Sequence, residues 1–206
     1  MQKIGILGGT FNPIHNGHVK LAIEAHEYLK LDETLLIPSG YSYMKNATEI
    51  ADAKNRLDMV SEAFRDYPSI TVSDLEIRRK GPSYTCETIK QLGETYSDSA
   101  FYFIIGADTL YHMEGWKEPD YLFRRLTIVV KIRDEIFEVT SMDQTSLKKQ
   151  ADYLHTKYAA EIIFLPGQLV NISSRLIRQR IKNYESIIEM VPATVAEYIT
   201  DKNLYR

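Results

Sequence analysis

The stretch Gly8-Gly9-Thr10-Phe11-Asn12-Pro13-Ile14-His15-Asn16-Gly17-His18 joins a short apolar run, residues 3–7, to a segment with helical spacing. The apolar run predicts a buried strand that ends at Gly8, and the apolar residues after the stretch share one helical face. Because Gly8 and Gly9 carry no side chain, they let a ligand approach the backbone. The helix that begins near Gly17 is expected to direct N–H groups toward a phosphate. The stretch therefore predicts an anion site between a strand and a helix.

Two histidines, His15 and His18, lie three positions apart at this helix start. The spacing brings both imidazoles to one side, where they can donate hydrogen bonds to an anion, more strongly when protonated. The alternative is a tight turn with two surface histidines, but the eleven-residue stretch as a whole favours function. It lacks the Gly-Lys-Ser/Thr ending of a Walker-type phosphate loop and the usual dinucleotide-binding glycine spacing.

Outward from this stretch, short apolar runs alternate with segments of helical period. This alternation predicts an α/β fold, a Rossmann-like doubly wound parallel sheet with helices on both faces. The length predicts one domain over residues 1–206, with the last helices, about 172–206, as a C-terminal subregion. Strands are expected at residues 34–37, 70–73, 100–105, 126–131 and 162–165, and helices near residues 53–64, 86–96, 145–158, 174–183 and 193–201.

The turn Gly106-Ala107-Asp108-Thr109 follows the most hydrophobic predicted strand. Ligands of doubly wound sheets bind beyond the carboxyl ends of the strands, so this turn and residues 8–18 are expected at the same edge. Gly106 permits the close approach of a nucleotide, and Asp108 can accept hydrogen bonds from sugar hydroxyls. The alternative is an ordinary turn in which Asp108 caps a helix.

A second candidate anion site is Asn171-Ile172-Ser173-Ser174-Arg175-Leu176-Ile177-Arg178. Ser173 or Ser174 is suited to cap the helix that begins there. Arg178 lies one turn further and can form a bidentate contact with phosphate. The alternative is an ordinary capped helix with exposed arginines.

Two more segments suit a flat, carboxylated ligand. Gly81-Pro82-Ser83-Tyr84-Thr85 predicts a turn in which Thr85 caps the next helix and leaves N–H groups for a carboxylate. Trp116, the only tryptophan, could stack on a flat ring, although its spacing alone favours packing against the fold. Cys86 is expected to be a small residue packed inward.

The bulk composition excludes several classes of protein. Of the 206 residues, 44% are hydrophobic and 26% charged, and the net charge of −3 shows no basic nucleic-acid footprint. A single cysteine can form neither an internal disulfide nor a cysteine-built zinc site. Without a membrane-length apolar run or a signal peptide, the chain is expected to be cytoplasmic.

Residues 8–18 resemble the nucleotidyltransferase signature with its His-x-Gly-His element, and residues 172–178 resemble its partner motif Ile-Ser-Ser-Thr-x-x-Arg. Within that superfamily the chain is most similar to the bacterial nicotinate-mononucleotide adenylyltransferases. The resemblance runs from Lys3 to Tyr205. It also includes residues 81–85, 103–108, Arg56, Met59, Trp116 and the C-terminal Val191, Pro192, Val195, Tyr198, Ile199, Leu204 and Tyr205.

The resemblance implies transfer of the adenylyl group of ATP, with Mg²⁺, to nicotinate mononucleotide in NAD biosynthesis. It implies small-molecule substrates as partners, with no nucleic acid or membrane, and it allows a homo-oligomer. The implied catalytic residues are His15, His18 and Arg178. The implied ATP-binding residues are Gly8, Gly9, Thr10, Phe11, His15, His18, Gly106, Asp108, Ile172, Ser173, Ser174 and Arg178. The implied acceptor-binding residues are Asn12, Lys45, Tyr84, Thr85, Asp108 and Trp116.

The chain departs from that family's pattern at three places. Asn12 replaces an aspartate, Arg175 replaces a threonine, and Ser42-Tyr43-Met44-Lys45 replaces Pro-Pro-His-Lys near the acceptor. Other acceptors therefore stay open, namely nicotinamide mononucleotide, phosphopantetheine, or an alcohol phosphate that receives CMP. Two further alternatives are a remnant of an aminoacyl-tRNA synthetase, disfavoured by the acidic charge, and a non-catalytic nucleotide sensor, disfavoured by the two histidines and Arg178.

Overall fold

A computed structural model of the chain describes residues 1–40, 50–131, 141–167 and 170–206, with the backbone alone for 141–145. Strands and helices alternate along these residues, as the sequence predicts. The strands are β1 (Gln2–Gly9), β2 (Glu33–Pro38), β3 (Ile70–Val72), β4 (Ser99–Gly106), β5 (Leu126–Lys131) and β6 (Glu161–Leu165). The helices are α1 (Asn16–Leu29), α2 (Ala53–Phe64), α3 (Leu75–Arg78), α4 (Thr85–Thr95), α5 (Ala107–Leu110), α6 (Pro119–Arg125), α7 (Ser141–Tyr158), α8 (Ser174–Lys182) and α9 (Ala193–Asp201).

The six strands form one sheet with the order β3-β2-β1-β4-β5-β6. β1 pairs in parallel with β4, β4 with β5, β5 with β6, and β2 with β3. This is the strand order of doubly wound, dinucleotide-binding sheets, in which ligands bind where the order reverses. The predicted Rossmann-like α/β fold is confirmed.

The central strand β4 is buried along most of its length. Its residues Phe101, Phe103, Ile104 and Ile105 are buried, as expected for a strand covered on both faces. In the register of the sheet, Phe103 lies beside Ile6 of β1 and beside Ile128 of β5. Because β1 and β4 run in the same direction, their carboxyl ends lie at the same edge of the sheet.

The described chain divides into two compact units. The first comprises Met1–Leu7, Glu24–Glu33 and Tyr84–Leu169, and the second comprises Gly8–Ile23, Thr34–Ser83 and Val170–Arg206. Organisation as a single domain with a C-terminal subregion stays a prediction. None of the helices in the described residues is long and apolar enough to cross a membrane.

Within the second unit, the C-terminal helix α9 is anchored on α2. The Tyr198 hydroxyl contacts Asp58 Oδ2 at 2.9 Å and Asn55 Oδ1 at 3.0 Å, and the Thr194 hydroxyl donates to the Glu62 carbonyl at 3.1 Å. Burial, with the neighbouring Asp58 carboxylate, raises the pKa of Tyr198 to about 12. The last helix thus reaches back to an element some 140 positions earlier in the chain.

Candidate active site

The histidine loop, residues 8–18, begins where β1 ends and turns back on itself at Phe11. Phe11 is buried and has a left-handed backbone with φ of 47°. A Cβ at Gly9 would lie 3.1 Å from the Phe11 ring. Glycine at position 9 therefore makes room for the Phe11 ring, and the close approach of a ligand to its backbone stays a prediction.

The two histidines of the loop stack on each other, which confirms that they lie on one side. Their ring centroids are 3.7 Å apart at an angle of 25°, and the Phe11 ring meets His18 edge-on at 5.1 Å. A Cβ at Gly17 would lie 3.1 Å from His15 Cε1 and Nδ1. Gly17 thus lets the His15 ring lie against the first turn of α1.

The first turn of α1 differs from the prediction. The N–H of Asn16 donates to the Met190 carbonyl at 2.9 Å, and the N–H of His18 donates to the His15 carbonyl at 2.8 Å. These two groups are therefore not available to a phosphate, because the chain itself satisfies them. The ring nitrogens of the two histidines are donors that the loop can still offer.

Hydrogen bonding and burial determine the protonation of the pair. His18 Nδ1 accepts from the His15 backbone N–H at 3.3 Å, which assigns the proton of a neutral His18 ring to Nε2. His15 is 7% exposed, and burial lowers its pKa to about 4. Near pH 7 the His15 ring is therefore neutral, so the stronger, protonated form of donor that the sequence allows does not apply to it.

The second motif contacts the first. Ser173 caps α8, as predicted, and its hydroxyl accepts from the Leu176 N–H at 3.2 Å. The Ser174 hydroxyl donates to the Pro13 carbonyl at 2.8 Å, and Arg178 Nη1 donates to the Asn12 carbonyl at 2.9 Å. Two sequence motifs that are about 160 positions apart therefore meet in the second unit.

Arg56, which sequence reasoning matched only to a family pattern, fastens the histidine loop to its neighbours. It is 2% exposed, and its guanidinium donates to four backbone carbonyls. Their distances are 2.8 Å for Thr10, 2.7 Å for Ser39, 3.2 Å for Gly40 and 3.0 Å for Ala51. A signal was present in the sequence, because Arg56 shares the apolar helical face of Ala53, Val60 and Phe64.

Asn12 is held by the far end of the chain. Its side-chain oxygen accepts from the Ala51 N–H at 3.0 Å and from the Tyr205 hydroxyl at 2.8 Å. Both donors need an oxygen acceptor, which an amide supplies as well as a carboxylate does. The chain can therefore carry asparagine where the resembling family has aspartate. Nothing in the sequence pattern indicated the contact with Tyr205.

The first unit carries the other candidate residues. Tyr84 occupies the cap position of α4, and Thr85 is its first helical residue, so the prediction that Thr85 is the cap is wrong. The N–H of Thr85 belongs to the first turn, whose N–H groups have no carbonyl partner within the helix.

Trp116 is half-buried and packs edge-on against Phe103, with ring centroids 6.0 Å apart. The predicted packing of Trp116 is confirmed, as is the burial of Cys86.

The turn after β4 is open. Gly106 caps the short helix α5, and Asp108 lies exposed in its first turn. A Cβ at Gly106 would meet no atom of the described residues within 4 Å.

Lys45 and the rest of Ser42-Tyr43-Met44-Lys45 lie outside the described residues. Among the described side chains, no group of three or more His, Cys, Asp or Glu is arranged to hold a metal ion.

Comparison with known proteins relates the chain to enzymes of nucleotide transfer. The profile of the family described as "Cytidylyltransferase-like" matches residues 6–180. A relative from Lachnoclostridium phytofermentans, named "probable nicotinate-nucleotide adenylyltransferase", is 36% identical over 205 residues and covers all of both chains. A relative of the same name from Clostridium acetobutylicum is also 36% identical over 205 residues with complete coverage.

A solved structure shows the same fold. Nicotinic acid mononucleotide adenylyltransferase of Plasmodium falciparum, complexed with NaAD, superposes with a TM-score of 0.79. The match is 20% identical and covers 100% of this chain and 98% of that one. At this identity the likeness supports the fold, and the sequence relatives carry the family assignment.

Removal of the Arg56 side chain should destabilise the protein. The substitution Arg56→Ala leaves four carbonyls without their donor, and we expect it to cost about 3 to 5 kcal/mol of unfolding free energy. Urea unfolding measures the loss. Arg65→Ala, at the exposed end of the same helix, is the matched control and should stay within about 0.5 kcal/mol of the parent. Equal effects of the two substitutions would contradict the assigned role of Arg56.

Acid should destabilise the protein through His15. Its pKa is about 4 when folded and 6.5 when unfolded, so below pH 6.5 the unfolded chain binds the proton first. The stabilisation is complete above pH 6.5 and is lost as the pH falls toward 4. Between pH 7.5 and 5 the loss from this group should be about 2 kcal/mol.

The measurement is urea unfolding at several pH values. His15→Gln should flatten the dependence on pH, because glutamine does not titrate. The exposed His112→Gln should leave the slope unchanged. A slope that is the same in His15→Gln and in the parent protein would refute the role of His15.

Proposed function

The chain belongs to the cytidylyltransferase-like family, and within it to the nicotinate-nucleotide adenylyltransferases; we propose that it transfers the adenylyl group of ATP to nicotinate mononucleotide. The products are nicotinate adenine dinucleotide and pyrophosphate. The reaction is a step of NAD biosynthesis, and the chain is a nucleotidyltransferase enzyme. A cytoplasmic location stays a prediction.

One observation of the structure supports the donor half of this reaction. The histidine loop and the start of α8 meet through Ser174 and Arg178, which bind the carbonyls of Pro13 and Asn12. The two sequence elements typical of nucleotidyltransferases are therefore joined directly, and together they offer the imidazoles of one element and the Arg178 guanidinium of the other. These donors suit the triphosphate of ATP, because phosphate oxygens are strong acceptors of charge-assisted hydrogen bonds.

Within the proposal, the phosphates of ATP are bound by the histidine loop and the start of α8. The backbone of Gly8, Gly9, Thr10 and Phe11 approaches the nucleotide, and His18, with His15 stacked on it, faces the phosphates. Arg178 and the start of α8, residues 172–174, bind the triphosphate end. The resemblance assigns the nucleoside sugars to Gly106 and Asp108, and the open space at Gly106 is compatible with this role.

The chemistry needs no nucleophile from the protein. A phosphate oxygen of the acceptor forms a bond to the α-phosphorus of ATP, and the bond from that phosphorus to the bridging oxygen of pyrophosphate breaks. Mg²⁺, bound to ATP as part of the substrate, stays with the pyrophosphate. The protein aligns the reactants and stabilises charge on the phosphoryl oxygens.

The neutral state of His15 limits what the pair can do near pH 7. The two stacked rings cannot both be positively charged without a large cost in free energy, because one ring is buried and like charges repel. His18 Nε2–H is therefore the imidazole donor that we assign to the phosphates, and the His15 ring stacks against the His18 ring. Arg178 supplies the permanent positive charge.

The acceptor side rests on Thr85 and Trp116. An N–H group at the start of α4 suits a pyridine carboxylate, and the Trp116 ring suits the flat pyridine. The names of the relatives from Lachnoclostridium and Clostridium agree with this acceptor. Asn12, Lys45, Tyr84 and Asp108 complete the proposed acceptor set.

Loss of the His18 ring should slow catalysis with folding intact. We expect His18→Ala to reduce kcat on the order of 100- to 1,000-fold, the usual effect of removing one donor to the transition state. Steady-state pyrophosphate release measures the rate, and circular dichroism checks the fold. His112→Ala, at an exposed position, is the control and should retain the parent rate. Near-normal turnover of His18→Ala would remove this ring from the mechanism.

The acceptor is tested by one panel of reactions. The protein with Mg-ATP receives nicotinate mononucleotide, nicotinamide mononucleotide or phosphopantetheine in separate reactions, and pyrophosphate is measured. We expect kcat/KM to be highest for nicotinate mononucleotide, because a pocket built for a carboxylate loses its ionic contact with an amide. Strong release with nicotinamide mononucleotide and none with nicotinate mononucleotide would refute the proposed acceptor.

A further inference from the structure

The segment that carries Trp116 has no regular structure long enough to hold it in place. Residues 114–118, here called the Trp116 loop, begin within a single 3-10 turn (Met113–Gly115) and end where α6 begins. Glu118, its last residue, has a left-handed backbone with φ of 55°. The position of the Trp116 ring must therefore come from side-chain contacts of the loop.

Two ion pairs join the Trp116 loop to α4. Lys117 Nζ lies 2.7 Å from Glu87 Oε1, and Lys90 Nζ lies 2.6 Å from Glu118 Oε2. In one pair α4 supplies the acid and the loop supplies the base, and in the other pair these roles are reversed. The two residues that follow Trp116 in the loop thus reach the helix whose first residue is Thr85.

Lys117 also contacts the residue before Thr85. Its ammonium lies 4.6 Å from the centroid of the Tyr84 ring, within the range of a cation–π contact. The hydrogen bond from Lys117 raises its own pKa above the ordinary value, as the bond to Glu118 does for Lys90. Both ammonium groups therefore stay charged over the working range of pH.

The other end of the Trp116 loop is held by α7. Glu114 Oε1 accepts from Lys157 Nζ at 2.8 Å, from the Tyr158 hydroxyl at 3.1 Å and from the Tyr153 hydroxyl at 3.2 Å. One carboxylate oxygen thus gathers three donors from a single helix face. Since Trp116 lies between Glu114 and Lys117, the loop is held on both sides of the ring.

We propose that the pairs Glu87–Lys117 and Lys90–Glu118, here called the strap, are positioning residues that hold the Trp116 ring in register with the start of α4. This inference rests on the proposed function, in which Thr85 and Trp116 bind the two ends of the acceptor's pyridine carboxylate. The strap fixes the distance between these two contacts. It thereby sets affinity for a flat, carboxylated acceptor without touching ATP.

The strength of the strap decides which measurement can detect it. All four side chains are between 35% and 45% exposed, and ion pairs at such positions contribute little to global stability. They can nevertheless hold the Trp116 loop, because keeping a short loop in one position takes much less free energy than stabilising the whole fold. Loss of the strap should therefore change acceptor binding much more than it changes the melting temperature.

The experiment removes both ammonium groups of the strap and keeps their aliphatic stems. In Lys90→Met/Lys117→Met, KM for nicotinate mononucleotide should rise about five- to tenfold, while kcat and KM for ATP stay within about twofold. Lys90→Arg/Lys117→Arg should restore most of the affinity, because it restores the charges. Lys54→Met, which breaks an exposed pair with Asp58 on α2, is the matched control and should change nothing.

Intrinsic fluorescence supplies a readout that does not depend on the substrate. Trp116 is the only tryptophan, so quenching by acrylamide reports on this ring alone. Quenching should increase in the double Met variant and also in the parent protein at 0.5–1 M salt, which screens exposed pairs. The melting temperature should stay within about 2 °C of the parent.

The outcomes separate the strap from the proposed function. An unchanged KM for the acceptor with unchanged quenching overturns the strap, and so does a parallel loss of kcat, ATP affinity and melting temperature. A parent protein that does not turn over nicotinate mononucleotide overturns the proposed acceptor instead. In that case, increased quenching in the double Met variant, reversed by arginine, still supports the strap as the device that positions Trp116.

Discussion

The guanidinium of Arg56 is the interaction on which the histidine loop depends. A buried positive charge is costly, and here four backbone carbonyls from three separate segments offset that cost. The same bonds satisfy carbonyls of four half-buried residues. Because the guanidinium is planar, its donors point in fixed directions, and the carbonyls they bind take fixed positions. Arg56 thereby determines where Thr10, at the start of the loop, can lie.

The loop in turn determines the chemistry of its two histidines. Gly9 and Gly17 give space to the rings of Phe11 and His15, so the glycines serve packing inside the protein. The resulting burial of His15 keeps its ring neutral, and the hydrogen bond to His18 Nδ1 leaves the other nitrogen of His18 to carry the proton. A single folded turn therefore sets the tautomer of one ring and the charge of the other.

The loop proposed to bind ATP and the loop proposed to bind the acceptor are held in place by different kinds of interaction. The histidine loop is fastened by part-buried hydrogen bonds to Arg56, Arg178 and Tyr205, and their loss should cost stability. The Trp116 loop is fastened by exposed ion pairs, which are individually weak and sensitive to ionic strength. The histidine loop is thus held mainly by partly shielded hydrogen bonds, whereas the Trp116 loop is held mainly by exposed charges.

The sequence by itself determined the order of strands and helices, the fold class and the two motifs, because periodicity and turn residues act over a few positions. It also indicated that His15 and His18 lie on one side. Only the tertiary structure decided their protonation, the partners of the helix N–H groups and the contact of Tyr205 with Asn12. These depend on burial and on neighbours far apart in the chain, such as Asn12 and Tyr205 at 193 positions, and no local pattern encodes them.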